Sequence, residues 1–530
     1  MSRRLRSRVM ALCLCVLAIS LLLGACSPTR RASTKATATT GPAPDFPAVD
    51  PGYIYDQLNY MVTRFTHREA GYDANLPPTV NGHDEFAAYW TQEIERDLTG
   101  YAAGPVRDEF TTPGWRNRPT VAPAFNMEVT VPGVTHPDQI VVIGCHYDGE
   151  AISTQSANDD ASGCAIELGI ARALAGYWKS HHLAPARTLR FVIFDAEEQG
   201  LYGSWHYINQ TANGDLTHVV AMFNEEQSGI AYPLRYLGQA SSPVMPLYVY
   251  TAPLSDNGVY IGRAQLSQTQ RTAITSFAAT QRQAQSPVFA MFQALGNGQA
   301  TYHGAGGKDT SLPIFGQGDL ANIQQTPDDI GSSDQLPFTV AGVPCVTYVG
   351  NSTYYDSNPP PGSYPYDQPE DTIQLMNTFA NGTSSEAPTL ELSLALPGML
   401  TTWSLSQPSV LGFAPPDGKT LAAIGDIGQM VAGQSLTFTG QEVASGGALQ
   451  FAWDFGDGAR ASGASVTHTY AQPGAYTLTL TVSGAGQSRT ITKPLSVTTQ
   501  PATYPNPYAG QLLSGSPPSN PTAILPTPQP

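Results

Sequence analysis

Five short blocks of histidine and carboxylate follow one another through the middle of this 530-residue chain. They are His146-Tyr147-Asp148, Asn158-Asp159-Asp160, Glu197-Glu198, Asn224-Glu225-Glu226 and Tyr366-Asp367-Gln368-Pro369-Glu370-Asp371-Thr372. Imidazole nitrogens and carboxylate oxygens are the donors that proteins offer to divalent cations, and a carboxylate left free of the ion can move a proton. On a strand, His146 and Asp148 share a face, so Asp148 can hold the imidazole's second N–H or shape the site from close by. One residue of Asn158-Asp159-Asp160 caps the helical run that follows, but a cap does not need three such residues, which leaves a carboxylate able to bridge two ions. Glu197 and Glu198, adjacent in a turn, point in different directions, so one can bind an ion while the other acts as general base. Like charges this close call for a cation or a proton between them. Each block alone also fits a plain cap or a solvated acidic turn, and the set carries more than any member.

The elements that must position these blocks are legible around them. Residues 139–145 and 188–195 are continuous apolar runs, as expected of strands buried on both faces of a sheet. Residues 126–131 alternate like a strand, and residues 344–349 form a later one. Helical spacing covers 161–177 and 84–98, the latter with Phe86, Tyr89, Trp90, Ile94 and Leu98 on one stripe. Strand and helix alternate, which predicts an α/β layered domain with the blocks gathered at one sheet edge. Residues 230–330 resist assignment and read as an insertion able to cover the site. After a change of composition near 408–419, the runs 435–439, 449–454, 465–470 and 476–482 are short alternating strands between Gly-rich turns, the pattern of a small β-sandwich.

Composition sets the outer bounds. Charged residues make up 13%, with 50 Gly and 44 Pro, which suits an extracellular, loop-rich protein. A net charge of −16 argues against a nucleic-acid partner, which would require Lys and Arg for its phosphates. Arg3, Arg4, Arg6 and Arg8 precede an apolar run over 9–23 that is short for a membrane span. Leu23-Gly24-Ala25-Cys26 resembles a bacterial lipobox, which implies a signal peptide over 1–25, lipid attachment at Cys26 and an extracytoplasmic protein held to the membrane by its lipid alone, or secreted. Ser2-Arg3-Arg4 also hints at a twin-arginine signal. Residues 26–50 read as a Thr-, Ala- and Pro-rich tether and 500–530 as a disordered Pro-rich tail. Cys145, Cys164 and Cys345 read as small buried residues, with a bridge between two of them left open.

Gly144-Cys145-His146-Tyr147-Asp148, Ala157-Asn158-Asp159-Asp160-Ala161-Ser162-Gly163 and Asp195-Ala196-Glu197-Glu198-Gln199-Gly200-Leu201-Tyr202-Gly203-Ser204 together resemble the co-catalytic zinc aminopeptidases of peptidase family M28, whose relatives include glutamate carboxypeptidase and glutaminyl cyclase. The resemblance covers roughly two-thirds of the chain and implies a three-layer α/β/α sandwich with a central mixed sheet over 51–405. It also implies two divalent ions, zinc by the family pattern. His146 would bind one ion, Asp159 would bridge both, Glu198 would bind the second and Glu197 would be the general base, with Asp148 supporting the catalytic site. Asn224-Glu225-Glu226-Gln227-Ser228-Gly229 matches the family's Asn-x-Asp-Met-x-Gly, so Glu226 stands where a ligand Asp is usual. In the Tyr366–Thr372 block Asp367 replaces the last ligand, a histidine, and Gln335 stands where a site-lining His is common. The ligand set thereby gains one negative charge and more oxygen, which favours Mn²⁺, Mg²⁺ or Ca²⁺ more than the usual set does. A less positive cluster also acidifies water less. His303 is a candidate substitute ligand.

Trp453-Asp454-Phe455-Gly456-Asp457-Gly458, His468-Thr469-Tyr470 and the run 473–482 resemble a PKD domain over 417–499. Tyr476, Leu478, Leu480 and Val482 would share one face, with His468 structural. The resemblance implies a spacer, or a module binding a surface protein or polysaccharide. The expected activity is removal of N-terminal residues from peptide or protein substrates by metal-activated water. The alternatives are a glutaminyl-cyclase-like acyl transfer and a catalytically degenerate binding protein. The enzyme reading requires Glu226 and Asp367 to converge with His146, Asp159 and Glu198.

Overall fold

The computed structural model describes residues 46–504 except 72–81, 114–121, 212–215, 231–246, 252–265, 297–302, 310–319, 321–322, 329–332, 351–363, 366, 382–387, 417–421, 444–447, 485 and 502. The expected signal peptide, Cys26, most of the tether and most of the Pro-rich tail lie outside the described residues, as do Tyr366 and the side chain of His303.

Helix α1 (Pro51–Arg64) starts where the Asp50 carboxylate accepts the N–H groups of Gly52 and Tyr53, with Pro51 at a position that needs no donor. Helix α2 (His83–Asp97) follows, then strands β1 (Val106–Thr112), β2 (Ala122–Val131) and β3 (His136–His146). After them come α3 (Ala161–His181), β4 (Arg187–Phe194), α4 (Tyr202–His206), β5 (Val219–Glu225) and β6 (Leu247–Thr251). The domain ends with α5 (Gln268–Gly296), β7 (Ile323–Pro327), α6 (Gln335–Val340), β8 (Cys345–Val349), α7 (Ile373–Asn381) and α8 (Pro388–Ser406).

The eight strands form one mixed sheet in the order β1-β2-β4-β3-β5-β8-β6-β7. Strands β4, β3, β5 and β8 run parallel through its centre. Register brings their C-terminal ends to one edge: His146 lies beside Phe194, Gly144 beside Asn224, and Tyr348 beside Glu225. The apolar run of β3 divides by period two. Val141, Ile143 and Cys145 join a core with Ile54, Leu58, Ile166 and Leu400 from α1, α3 and α8. Ile140 and Val142 pack on the opposite face with Tyr207, Ile208 and Phe338. Full burial of each such side chain stabilises by roughly 2 kcal/mol, and the two packed faces make the three-layer α/β/α sandwich expected from the sequence.

Two sequence expectations require correction. The stretch 230–330 is not simply an irregular insertion, because β6 and β7 extend the sheet and α5 packs on it through Phe277, Ala284, Val288 and Phe292. Its Gln-, Thr- and Ala-rich surface dilutes the apolar stripe, and Pro287 inside the helix imitates a break. The cysteines are not merely small buried residues: Cys145 on β3 is disulfide-bonded to Cys164 on α3, while Cys345 is free and buried.

Beyond α8, strands β9 (Ala422–Ile424), β10 (Leu436–Glu442), β11 (Gln450–Asp454), β12 (Arg460–Ser462), β13 (Ser465–His468), β14 (Gly474–Gly484) and β15 (Gln487–Val497) form two sheets, β9-β10-β13 and β12-β11-β14-β15. Phe438, Trp453, Phe455, Tyr470, Leu478, Leu480 and Val482 fill the space between them. Alternation along β14 holds as expected, with Leu478, Leu480 and Val482 buried. His468 is structural: its ring stacks on Phe455 at 4.0 Å between centroids, and Nε2 meets Asp457 Oδ2 at 2.8 Å. This module touches the larger domain away from the acidic edge, where Arg190 Nη2 meets Asp426 Oδ1 at 2.5 Å and Arg489 Nη2 donates to Val134 O at 2.9 Å.

Candidate metal centre

The end of β3 delivers His146, fully buried, to the sheet edge. The Cys145–Cys164 bridge ties this strand to α3, and Asp159-Asp160 immediately precede that helix. His146 Nε2 lies 3.0 Å from Asp159 Oδ1 and 3.7 Å from Glu226 Oε1, while Nδ1 faces Asp148 Oδ1 at 3.4 Å. The imidazole thus points one nitrogen into the carboxylate cluster and the other at a supporting carboxylate, the usual arrangement of a metal-binding histidine.

Three overlapping triads place one donor atom from each residue within 4.8 Å of one another: His146 with Glu197 and Glu226, His146 with Asp159 and Glu198, and Glu150 with Glu198 and Asp367. His146, Asp159, Glu198, Glu226 and Asp367 are therefore all drawn into one cluster, and Glu197 lies within it. Glu150 was not singled out from the sequence. It belongs to no acidic block, and only the turn after β3 brings it in.

Other carboxylates serve the backbone. Asp148 accepts the N–H groups of Glu197 at 3.1 Å and Glu198 at 3.3 Å, which fixes the turn carrying both glutamates. Asp371 accepts from the backbone of Asn158 and Asp159 and from Tyr364 Oη at 2.6 Å. Asp160 caps α3 through Gly163 N–H and also receives Gln227 N–H at 3.1 Å, joining the loops that carry Asp159 and Glu226. Asp195 accepts from Phe125 and Ala196 N–H and faces His83 Nε2 at 2.9 Å. Buried Arg68 donates to the carbonyls of Tyr147, Gln155 and Ser156. Glu226 receives a 2.5 Å bond from Ser333 Oγ. Gln335 is buried and bonded to Asn224 Nδ2 and Asp328 Oδ2. Of these positioning groups, Asp148, Asp160, Asp195 and Asp371 lay inside blocks read from the sequence. Arg68, Ser333 and the His83–Asp195 contact gave no signal, because the partners are distant in sequence.

The electrostatics are those of a crowded anionic pocket. Burial, then repulsion from Glu226, Asp334 and Asp159, holds the Glu197 carboxyl well above its ordinary range against the pull of His146. Burial and the charges of Asp367, Asp159, Glu150 and Glu197 do the same to Glu198. Asp159 is pushed up to about 7, chiefly by burial. Burial alone would lower the His146 pKa, but Glu197 and Glu226, with hydrogen bonds to Asp148 and Asp159, raise it well above normal. Asp159 Oδ2, on a residue 4% exposed, accepts no hydrogen bond from any described residue. Convergent oxygen and imidazole donors, mutual repulsion and an orphaned buried carboxylate oxygen are what divalent cations satisfy, so the residues present fit such ions.

Residues 126–306 match the Peptidase family M28 model, and residues 420–499 match a PKD domain. A probable zinc metalloprotease of Pyricularia oryzae is 32% identical over 149 residues, which cover 26% of this chain and 28% of that protein. Aminopeptidase YwaD of Bacillus subtilis is 29% identical over 148 residues, covering 28% of each. The match thus spans just over a quarter of the length of these curated relatives. Among solved structures, Porphyromonas gingivalis glutaminyl cyclase is similar with 12% identity and a TM-score of 0.41, covering 68% of this chain and 98% of that one. The chain accordingly carries a peptidase family M28 domain, followed by a PKD domain.

Proposed function

We propose that this protein is an extracytoplasmic metallopeptidase, acting as an aminopeptidase on peptides or proteins, and held at the bacterial membrane through lipid on Cys26. The observation that carries the reading is the convergence of His146, Asp159, Glu198, Glu226 and Asp367 around the buried Glu197. On this reading His146, Asp159 and Glu226 hold one divalent ion and Asp159, Glu198 and Asp367 the other. Divalent ions bound there supply Lewis acidity, polarising a peptide carbonyl and acidifying water.

The chain's own groups do the rest. Glu197 takes the proton of the attacking water on its carboxylate and passes it to the nitrogen of the departing amine. Asp148 keeps that carboxylate in place through the Glu197 N–H and steadies His146 through Nδ1. The PKD module would bind a surface protein or polysaccharide, or space the enzyme from the membrane.

The test is peptide release by wild type and Glu197→Gln with Zn²⁺, Mn²⁺ or Ca²⁺ supplied. Loss of a general base should lower kcat by about 10²–10⁴-fold with metal content unchanged. Equal activity in the two proteins would remove Glu197 as the base, and release with none of the metals would overturn the enzyme reading and leave a peptidase-fold binding protein.

A further inference from the structure

The two halves of the cluster differ in donor chemistry. Around His146, an imidazole nitrogen stands with the carboxylates of Asp159, Glu197 and Glu226. On the other side the triad is Glu150, Glu198 and Asp367, carboxylates throughout. Asp159 has its own donor atom within 4.8 Å of that of Glu198, and its Oδ2 accepts no hydrogen bond from any described residue although the residue is only 4% exposed.

Glu150 is held in this position by the turn that follows β3. Gly149 N–H donates to Arg68 O at 3.1 Å, and a side chain at Gly149 would meet Ser156 Oγ at 2.2 Å. The turn is therefore pressed against the 153–156 loop, and Glu150, 5% exposed, faces Glu198 and Asp367 instead of solvent. Nothing in the family pattern drawn from the sequence gave Glu150 a role.

We propose, building on the two-ion reading above, that Glu150 is an additional ligand and that Asp159, Glu150, Glu198 and Asp367 form an all-oxygen position for a hard divalent cation such as Mn²⁺, Mg²⁺ or Ca²⁺, distinct from a zinc position at His146, Asp159 and Glu226. Zinc prefers nitrogen and sulfur donors at low coordination number, whereas the hard ions take carboxylate oxygen at higher coordination number. A fourth carboxylate on one side only is what separates the two positions.

The experiment uses the full-length protein, stripped with a chelator, given one equivalent of Zn²⁺ and then dialysed against excess Mn²⁺, because zinc at equal concentration outcompetes manganese at most sites. Bound metal is counted by elemental analysis, and Mn²⁺ affinity is read by calorimetry and electron paramagnetic resonance. The expected result is one zinc and one manganese per chain. Glu150→Gln should weaken Mn²⁺ binding about 10-fold or more while zinc stays bound. Asp367→His, which adds a nitrogen donor, should shift the second position toward zinc. Thermal unfolding of the zinc-loaded variants checks that they fold. No manganese bound beside the single zinc in the wild-type chain, or an unchanged Mn²⁺ affinity in Glu150→Gln, overturns the proposal and leaves the peptidase reading intact. Mixed loading without peptide release overturns the peptidase reading alone, and failure to bind any of these cations overturns both.

Discussion

His83 offers a test of how the site is anchored to the fold. Its side chain is 2% exposed, with Nε2 at 2.9 Å from Asp195 Oδ1 and Nδ1 at 2.8 Å from Asp84 Oδ1. Both ring nitrogens face carboxylates, so the ring serves best with a proton on each. Burial alone would lower its pKa, but the charge and hydrogen bond of Asp195, joined by Asp84, outweigh that and raise it from 6.5 to about 9. A pKa raised in the folded state stabilises fully below the unfolded value of 6.5, and the contribution is lost as pH rises through about 9. The shift corresponds to about 3 kcal/mol. Urea unfolding of wild type and His83→Gln, both chelated, measures it across the range from about pH 6 to about pH 10. Glutamine can hydrogen-bond but cannot carry charge, so the variant should be less stable by about 3 kcal/mol at the acid end, with the gap closing toward the alkaline end. A gap that stays constant across the range would refute the reasoning, since the loss would then be packing and not charge. Asp195 also accepts Ala196 N–H, so amide exchange in the turn carrying Glu197 should quicken in parallel.

Two further outcomes follow from the positioning groups. Asp148→Asn keeps the size of the side chain but offers one acceptor oxygen where two N–H groups need acceptance. Zinc affinity and kcat should each fall roughly 10–100-fold, and calorimetry showing unchanged affinity would remove Asp148 from the support of His146. The Cys145–Cys164 bridge closes a loop with a sequence separation of 19 residues. Cys145→Ala/Cys164→Ala should be less stable by about 3 kcal/mol in chemical unfolding, and mass analysis finding three free thiols in the mature native protein would exclude the bridge outright.

What the sequence disclosed depended on distance along the chain. The runs 139–145 and 188–195 marked the central strands because burial on both faces keeps them mostly apolar, as in residues 140–145 and 191–194. The blocks at His146, Glu197 and Asn224 were visible because each stands at or just after the end of a central strand, and parallel strands deliver their C-terminal ends to the same edge. Strand β7 escaped notice because an edge strand keeps polar positions, as in Gln324-Gln325-Thr326, and β6 because it is only five residues long. Glu150 escaped because its place beside Glu198 and Asp367 is set by how the turn packs on Ser156, which no local pattern encodes. The Cys145–Cys164 pairing depended on β3 lying under the first turn of α3, and only the packed fold brings the two together.

The concentration of buried carboxylates at one edge looks at first like more negative charge than any pair of ions could balance. The hydrogen bonds resolve this by dividing the residues into two groups. Asp148, Asp160, Asp195 and Asp371 each accept at least two backbone N–H groups, and their charge is met by those oriented dipoles. No backbone donor meets the Oδ2 of Asp159 among the described residues, and Glu226 is met by a hydroxyl and by His146. The four backbone-bound aspartates hold the loops that carry the second group. On the reading proposed above, the second group is the one that would hold the ions. An aspartate suits the first task because its short arm reaches its own loop and the next, as Asp160 does to Gly163 and Gln227. Most of the ion-facing residues are glutamates, whose extra methylene projects the charge beyond the backbone into the pocket. This division explains why Glu226 can stand where the family pattern has aspartate: Ser333 Oγ takes up one of its oxygens and sets the longer arm at 3.7 Å from His146.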